Sequence, residues 1–256
     1  MKLLKKLMVT VLSPKVLMHV RALDHYINGE HELRLLKNIV DPNRDAIDAG
    51  ANIGTYSYFL SRYAKTVYAY EPNPELASNL ISLMPDVKVK QTALSDRIGE
   101  IVFSIPVSPS GRQQHELASV AQNFSGNVKK FKVPCSTIDF DNLTNVGFIK
   151  IDVEQHEREV LRGALSTIEK SKPVLLIEVY PLKYNQTLRE EFNFIFTKGY
   201  SAWFYFKGTW RAFDDFDDNT HAAEANFNSG GDFMGNNLIF FPDSHPRSKI
   251  GPLVKL

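Results

Sequence analysis

Five acids and one histidine are of types that bind polar groups or take up a proton: Asp48, Glu71, Asp152, Glu154, His156 and Glu178. Asp48 opens the stretch DAGANIGTYS, where Gly50 and Gly54 stand four apart directly before a helical pattern. Glycines in that place allow a tight turn and let the backbone approach a ligand where a Cβ would clash. Neither GxGxxG nor GxxxxGK[ST] is present, so the turn is no phosphate cradle. Glu71 comes 71 − 48 = 23 residues after Asp48, at the end of the next apolar run, where an acid accepts both hydroxyls of a ribose. Asp152, Glu154, His156 and Glu178 are the candidates for a group that accepts a proton. Asp152 with Glu154 could instead hold a divalent cation, but no complete ligand set accompanies them and no metal is expected.

These residues need elements to carry them. DAIDAG, TVYAYEP, VKVKQTAL, GFIKIDVE and PVLLIEVY read as strands, and helical patterns fill 53–63, 74–83, 155–170 and 188–198. Alternating runs of this kind predict an α/β fold with right-handed crossovers and a mostly parallel, Rossmann-like sheet. SAWFYFK continues it, and NNLIFFP is expected to be an antiparallel last strand because no crossover helix precedes it. Asp48, Glu71 and Asp152 then fall at or near carboxyl ends of strands, where such sheets bind ligands. A ligand that carries a ribose but no phosphate needing a cradle points to S-adenosylmethionine rather than NAD. Asp48 would face its ammonium, directly or through water, and the amides of the turn would meet its carboxylate.

Of 256 residues, 43% are hydrophobic, enough for one domain with a sizeable core. The net charge of +1 supplies no global field for nucleic acid or an anionic membrane, and no nucleic-acid partner is expected. The single cysteine, Cys135, excludes an internal disulfide and suits a reducing, cytoplasmic setting. The leading MKLLKKLMVTVLSPK is basic and amphipathic, too short for an integral membrane segment and compatible with peripheral contact. Residues 1–42 form a helical cap, with Leu33, Leu35, Leu36, Ile39 and Val40 near one stripe, and 43–256 form the main domain. Within the latter, 93–146 reads as a hairpin insertion, GEIVFSIP against KKFKVPCSTID. Residues 208–236 read as a mobile lid over the acceptor, with Trp210, Phe213, Phe216 and Phe227 as stacking surfaces among Asp214, Asp215, Asp217 and Asp218.

DAGANIGTYS, YEPNPELASNL, ALSDRIGEIVFS, STIDF, IKIDVEQHEREVLRGA and LLIEVYP stand in the order seen in the FkbM-type methyltransferase family, which the chain resembles over roughly residues 44–182. The resemblance implies a class I methyltransferase sheet, S-adenosylmethionine as methyl donor, and O-methylation of a hydroxyl on a sugar, glycan or natural product. It also implies that Asn52 belongs to the cofactor turn and that Asn73 lies near the ribose. Ala93, Leu94 and Ser95 would meet the adenine, and Asp152 and Glu154 would face the reacting methyl. Gln155-His156 depart from the Gly-Ala that the family commonly has before Glu157. Two other readings stand beside this one: a non-catalytic S-adenosylmethionine-binding module, and a nucleotide-dependent oxidoreductase, which the missing GxGxxG disfavours.

Overall fold

Short apolar runs separated by helices leave each strand with two faces to bury, and both are covered here. The structure, a computed structural model, describes residues 13–29, 31–121, 124, 126–180, 184, 186–221, 237–248 and 251. The chain enters through α1 (Pro14–Asn28), a 3-10 turn (His31–Arg34) and α2 (Leu36–Ile39). It then alternates through β1 (Asp45–Ala49), α3 (Thr55–Tyr63), β2 (Val67–Tyr70), α4 (Pro74–Leu83) and β3 (Val87–Lys90). A second group follows: β4 (Ala93–Leu94), β5 (Gly99–Pro106) and β6 (Val128–Ser136). The main sheet resumes with β7 (Val146–Ile151), α5 (Glu157–Arg162), α6 (Leu165–Ser171), β8 (Val174–Glu178), α7 (Leu188–Phe196), β9 (Tyr200–Phe206), β10 (Thr209–Ala212), α8 (Asp218–His221) and β11 (Asn237–Pro242).

The main sheet has the order β10-β9-β11-β8-β7-β1-β2-β3. Strands β3, β2, β1, β7 and β8 are parallel, and β11 is antiparallel to both β8 and β9, as expected from its sequence. Ile47, Ile149 and Leu175 pack on one face under α5, α6 and α7. Ala46, Phe148 and Leu176 pack on the other, under α2, α3 and α4. Leu33, Leu35, Leu36, Ile39 and Val40 of the cap all enter that second core. The winding direction reverses between β1 and β7, which opens a crevice beyond their carboxyl ends.

Three segments differ from their sequence pattern. The single strand expected over VKVKQTAL is two: the chain turns after Lys90, whose carbonyl accepts from Thr92 N at 2.9 Å, and β4 joins a separate sheet of order β4-β6-β5. In that sheet GEIVFSIP and VKKFKVPCS pair antiparallel. The helix expected over 155–170 breaks at Gly163-Ala164, and α6 starts afresh because Asp139 caps it, accepting from Ser166 N at 2.9 Å and from Thr167 N at 2.7 Å. Gly163 itself lies under the Ser95 carbonyl, 2.0 Å from where a Cβ would stand.

The third is 208–236. Its first residues form β10 on the sheet edge, with Trp210 opposite Tyr205. Phe213 stacks on Phe196 at 5.4 Å, Phe216 meets Phe204 edge-on at 4.9 Å, and Asp214 pairs with Arg189 at 2.6 Å. These rings are therefore anchors of the edge strand, because the apolar wall of β9 and α7 is available to them, and they are not stacking surfaces for an acceptor. Residues 222–236, with Phe227, lie outside the described residues, as does the basic leading segment 1–12. Among the described residues no helix is long and apolar enough to cross a membrane.

Candidate active site

The turn after β1 is built from left-handed backbone. Gly50 has φ +78°, Asn52 +51° and Gly54 +88°. The two glycines serve the protein's own packing: a Cβ on Gly50 would lie 1.9 Å from the Asp152 carbonyl oxygen, and one on Gly54 would lie 2.4 Å from Leu80 Cδ2. Close approach to a ligand is thus not what requires them. Instead they let β1, β7 and α4 close around the turn.

Glu71, just past β2, is 4% exposed and takes two backbone donors, Asn52 N at 2.7 Å and Asn73 N at 2.8 Å. One carboxylate therefore ties the β1 turn to the start of α4. Burial pushes it up to about 7, against the pull of those amides and of Lys150. Asn73 is the N-cap of α4, accepting from Glu75 N at 3.0 Å, and its Nδ2 donates to His115 Nδ1 at 2.8 Å.

Glu71 opens onto a cleft of about 580 Å³ bordered by Gly50, Asn52, Ala93, Leu94, Phe103 and Asp152. Of the residues expected at a cofactor, Gly50, Asn52, Glu71, Ala93 and Leu94 border it. Four others lie behind the wall. Asp48 is fully buried, its Oδ2 accepting from Ser57 Oγ at 2.6 Å and its Oδ1 3.5 Å from Lys150 Nζ. It is held under α3 by Ser57 and borders neither the cleft nor the space across the turn, so what it supports directly is the turn itself. Gly54 and Asn73 shape helix starts, and Ser95 is fully buried against His156.

Of the proton-acceptor candidates, Asp152 stands at the junction of the spaces around the turn. Its side chain is 29% exposed and its Oδ2 lies 3.2 Å from Lys150 Nζ. Glu154 also borders the cleft, held by a left-handed backbone at φ +54°. Glu178 borders an adjoining cavity of about 220 Å³ with Asp152, Glu154 and Glu157. His156 is placed differently. It is buried, hydrogen-bonded through Nε2 to Ser95 Oγ at 2.9 Å, with Nδ1 3.5 Å from Glu159, and burial lowers its pKa. Its ring thus joins α5 to the strand end at Ser95, away from any acceptor. Gln155 has φ +72°, which accounts physically for glycine in the family's pattern at this position. Among the described residues no group of three or more His, Cys, Asp and Glu side chains could hold a metal.

Two participants escape sequence reasoning. Lys150 is 5% exposed near the carboxyl end of β7 and donates to the Gly50 carbonyl at 2.9 Å while facing Asp48 and Asp152. Its signal is a cation inside the apolar run GFIKI. His115, from the polar loop of the insertion, borders the same cleft through a fold-level contact that no local pattern announces.

A parallel sheet thus brings a buried acid after β2, a glycine turn without a phosphate cradle and a carboxylate past the β7 end to one rim. The family model for the methyltransferase FkbM domain matches residues 48–213, and the chain belongs to this family. It is 30% identical over 165 residues to the hexuronic acid methyltransferase AglP of Haloferax volcanii, a match covering 60% of this chain and 64% of that protein. The crystal structure of methyltransferase FkbM from Methylobacillus flagellatus KT is 16% identical, with a TM-score of 0.47 over 90% of this chain and 56% of that one. A methyltransferase from Streptococcus mutans solved with S-adenosylhomocysteine is 13% identical, with a TM-score of 0.41 over 82% of this chain and 93% of that one. The chain thus spans under two thirds of the length of the first two. S-adenosylmethionine is the cofactor that belongs with a methyltransferase domain of this family. The residues present fit it: a buried acid able to accept hydroxyls, Leu94 and Phe103 as apolar lining, and Asp152 on the border of the same cleft.

Proposed function

We propose that the protein is an S-adenosylmethionine-dependent O-methyltransferase acting on a hydroxyl of a sugar, glycan or natural product. The observation that carries this reading is that the buried Glu71 and the partly exposed Asp152 line one cleft. When bound, S-adenosylmethionine supplies an electrophilic methyl group on a sulfonium. Glu71 accepts the ribose hydroxyls, while Ala93 and Leu94 give the adenine an apolar wall. Asp152 accepts the proton of the acceptor hydroxyl as its oxygen takes the methyl, and Glu154 and Glu178 line the space beside it. Lys150 holds Asp152 by an ion pair of 3.2 Å and the Gly50 turn by its hydrogen bond, so the proton acceptor and the cofactor loop share one anchor. Alignment of nucleophile and methyl is then most of what the protein contributes. The hexuronic acid methyltransferase relative supports a sugar as acceptor class.

The test is incubation with labelled S-adenosylmethionine and a glycan and metabolite extract. Label in a base-stable methyl ether supports the reading. Cofactor binding without transfer to any component would favour a binding module instead.

A further inference from the structure

On the other side of the Gly50 turn lies a second, larger cleft of about 1000 Å³, between α1 of the cap and the loop of the insertion. It shares Gly50, Asn52, His115 and Asp152 with the cofactor cleft, so a molecule seated there reaches the reaction centre. Its charged lining is one-sided. Arg21 and His25 come from α1, Arg112 and His115 from the insertion loop and Lys150 from β7, against the single acid Asp152. Lys150 is already engaged by Asp48 and Asp152, and His115 by Asn73. Among the described residues, however, the guanidinium groups of Arg21 and Arg112 make no ion pair or hydrogen bond, and both side chains are exposed. In a chain of net charge +1 such a cluster is a local feature rather than a share of a general basic surface.

We propose that this cleft is the acceptor site and that the acceptor is anionic, a sugar bearing a carboxylate or a phosphate, with Arg21 and Arg112 as the groups that bind its charge. The inference rests on the methyltransferase reading above. Two planar forks from separate elements suit the oxygens of a carboxylate or phosphate. A neutral sugar would leave both without an ionic partner. This reading also gives the cap and the insertion a function: each contributes one arginine to the lining of the cleft. An anion held there keeps its hydroxyls near Asp152, while the cofactor lies across the Gly50 turn.

The experiment titrates matched probes into the full chain, with and without saturating S-adenosylhomocysteine: methyl glucuronide against methyl glucoside, and glucose 1-phosphate against glucose. The protein is expected to prefer at least one anionic probe by about tenfold or more, the effect of a charge-assisted hydrogen bond. The pair that discriminates identifies carboxylate or phosphate. Arg21→Ala and Arg112→Ala should each remove most of the preference, Arg112→Lys should keep part of it, and S-adenosylhomocysteine affinity should stay within about twofold. No discrimination in either pair overturns the inference. So does loss of S-adenosylhomocysteine affinity in the arginine variants, which would assign these cations to the carboxylate of the cofactor. Failure of the intact protein to bind S-adenosylhomocysteine at all would instead strike the methyltransferase reading, since anion preference is measured independently of it.

Discussion

Lys150 stands directly beside Asp48 on the neighbouring parallel strand, its ammonium 3.5 Å from the Asp48 carboxylate and 3.2 Å from that of Asp152. The pair links a fully buried acid, which has Ser57 as its hydrogen-bond donor, to a partly exposed one at the proposed reaction centre. Its consequence for stability is direct. Removing one member of a buried pair strands the other charge, at a cost of about 3–5 kcal/mol. Lys150→Met should therefore lower the urea midpoint sharply, and Asp48→Asn added to it should recover part of the loss. Equal midpoints for Lys150→Met and the parent protein would show that the pair is not a structural anchor.

Glu71 accepts from the amides of Asn52 and Asn73 and is the proposed ligand of the ribose. Glu71→Ala should weaken S-adenosylhomocysteine binding about tenfold or more, from loss of charge-assisted hydrogen bonds. Because the ribose hydroxyls donate to the ionised carboxyl, affinity in the parent protein should rise as pH rises through about 7, where burial places this group. Calorimetry across that range checks both statements, and a pH-independent affinity would remove Glu71 from the ribose.

Asp152→Asn should cut turnover by about 10² to 10⁴ with cofactor affinity nearly unchanged, since general-base catalysis supplies rate rather than cofactor binding. Under the same assay His156→Gln should leave the rate within about threefold, because its ring is turned to Ser95. Full turnover in Asp152→Asn would move the proton acceptor to Glu154 or Glu178.

Burial raises the carboxyls of both Glu71 and Glu157 from 4.5 to about 7, the latter against hydrogen bonds from Gln155 N and Tyr184. The unfolded chain releases these protons near 4.5 and the folded chain near 7, so the folded state binds more protons in between. Their contribution to stability is complete below 4.5 and is lost as pH rises through 7. Glu157→Gln should flatten this part of the pH profile relative to the parent. Denaturation series at pH values spanning the window measure it, and parallel profiles for the two proteins would contradict the assignment.

Gly50→Ala should destabilise by about 2 kcal/mol or more, because the left-handed backbone and the contact with the Asp152 carbonyl act together. Thermal unfolding reads this loss. An unchanged midpoint would mean that β1 and β7 can separate at their ends without penalty.

Much of the active end was legible from the chain alone. DAIDA, VYAY, VGFIKI and VLLIE bury both faces, and that pattern with its intervening helices already dictates a parallel sheet whose carboxyl ends gather Gly50, Glu71 and Asp152 at one rim. Those residues needed no tertiary information, since a strand's last residue is defined by local spacing. What the tertiary structure decided is which way each side chain turns and which distant elements meet. Asp48 differs from its expected place because strand pleating directs it under α3. His156 is buried rather than solvated because Ser95, reached through the second sheet, packs onto α5. The pairing of Lys150 with Asp48 depends on strand register across 150 − 48 = 102 residues. That Arg21 and Arg112 border one cleft depends on how a cap and an insertion fold back over one rim. Neither is written in any local run of residues, because register and docking are settled by the packing of whole faces rather than by the spacing within one of them.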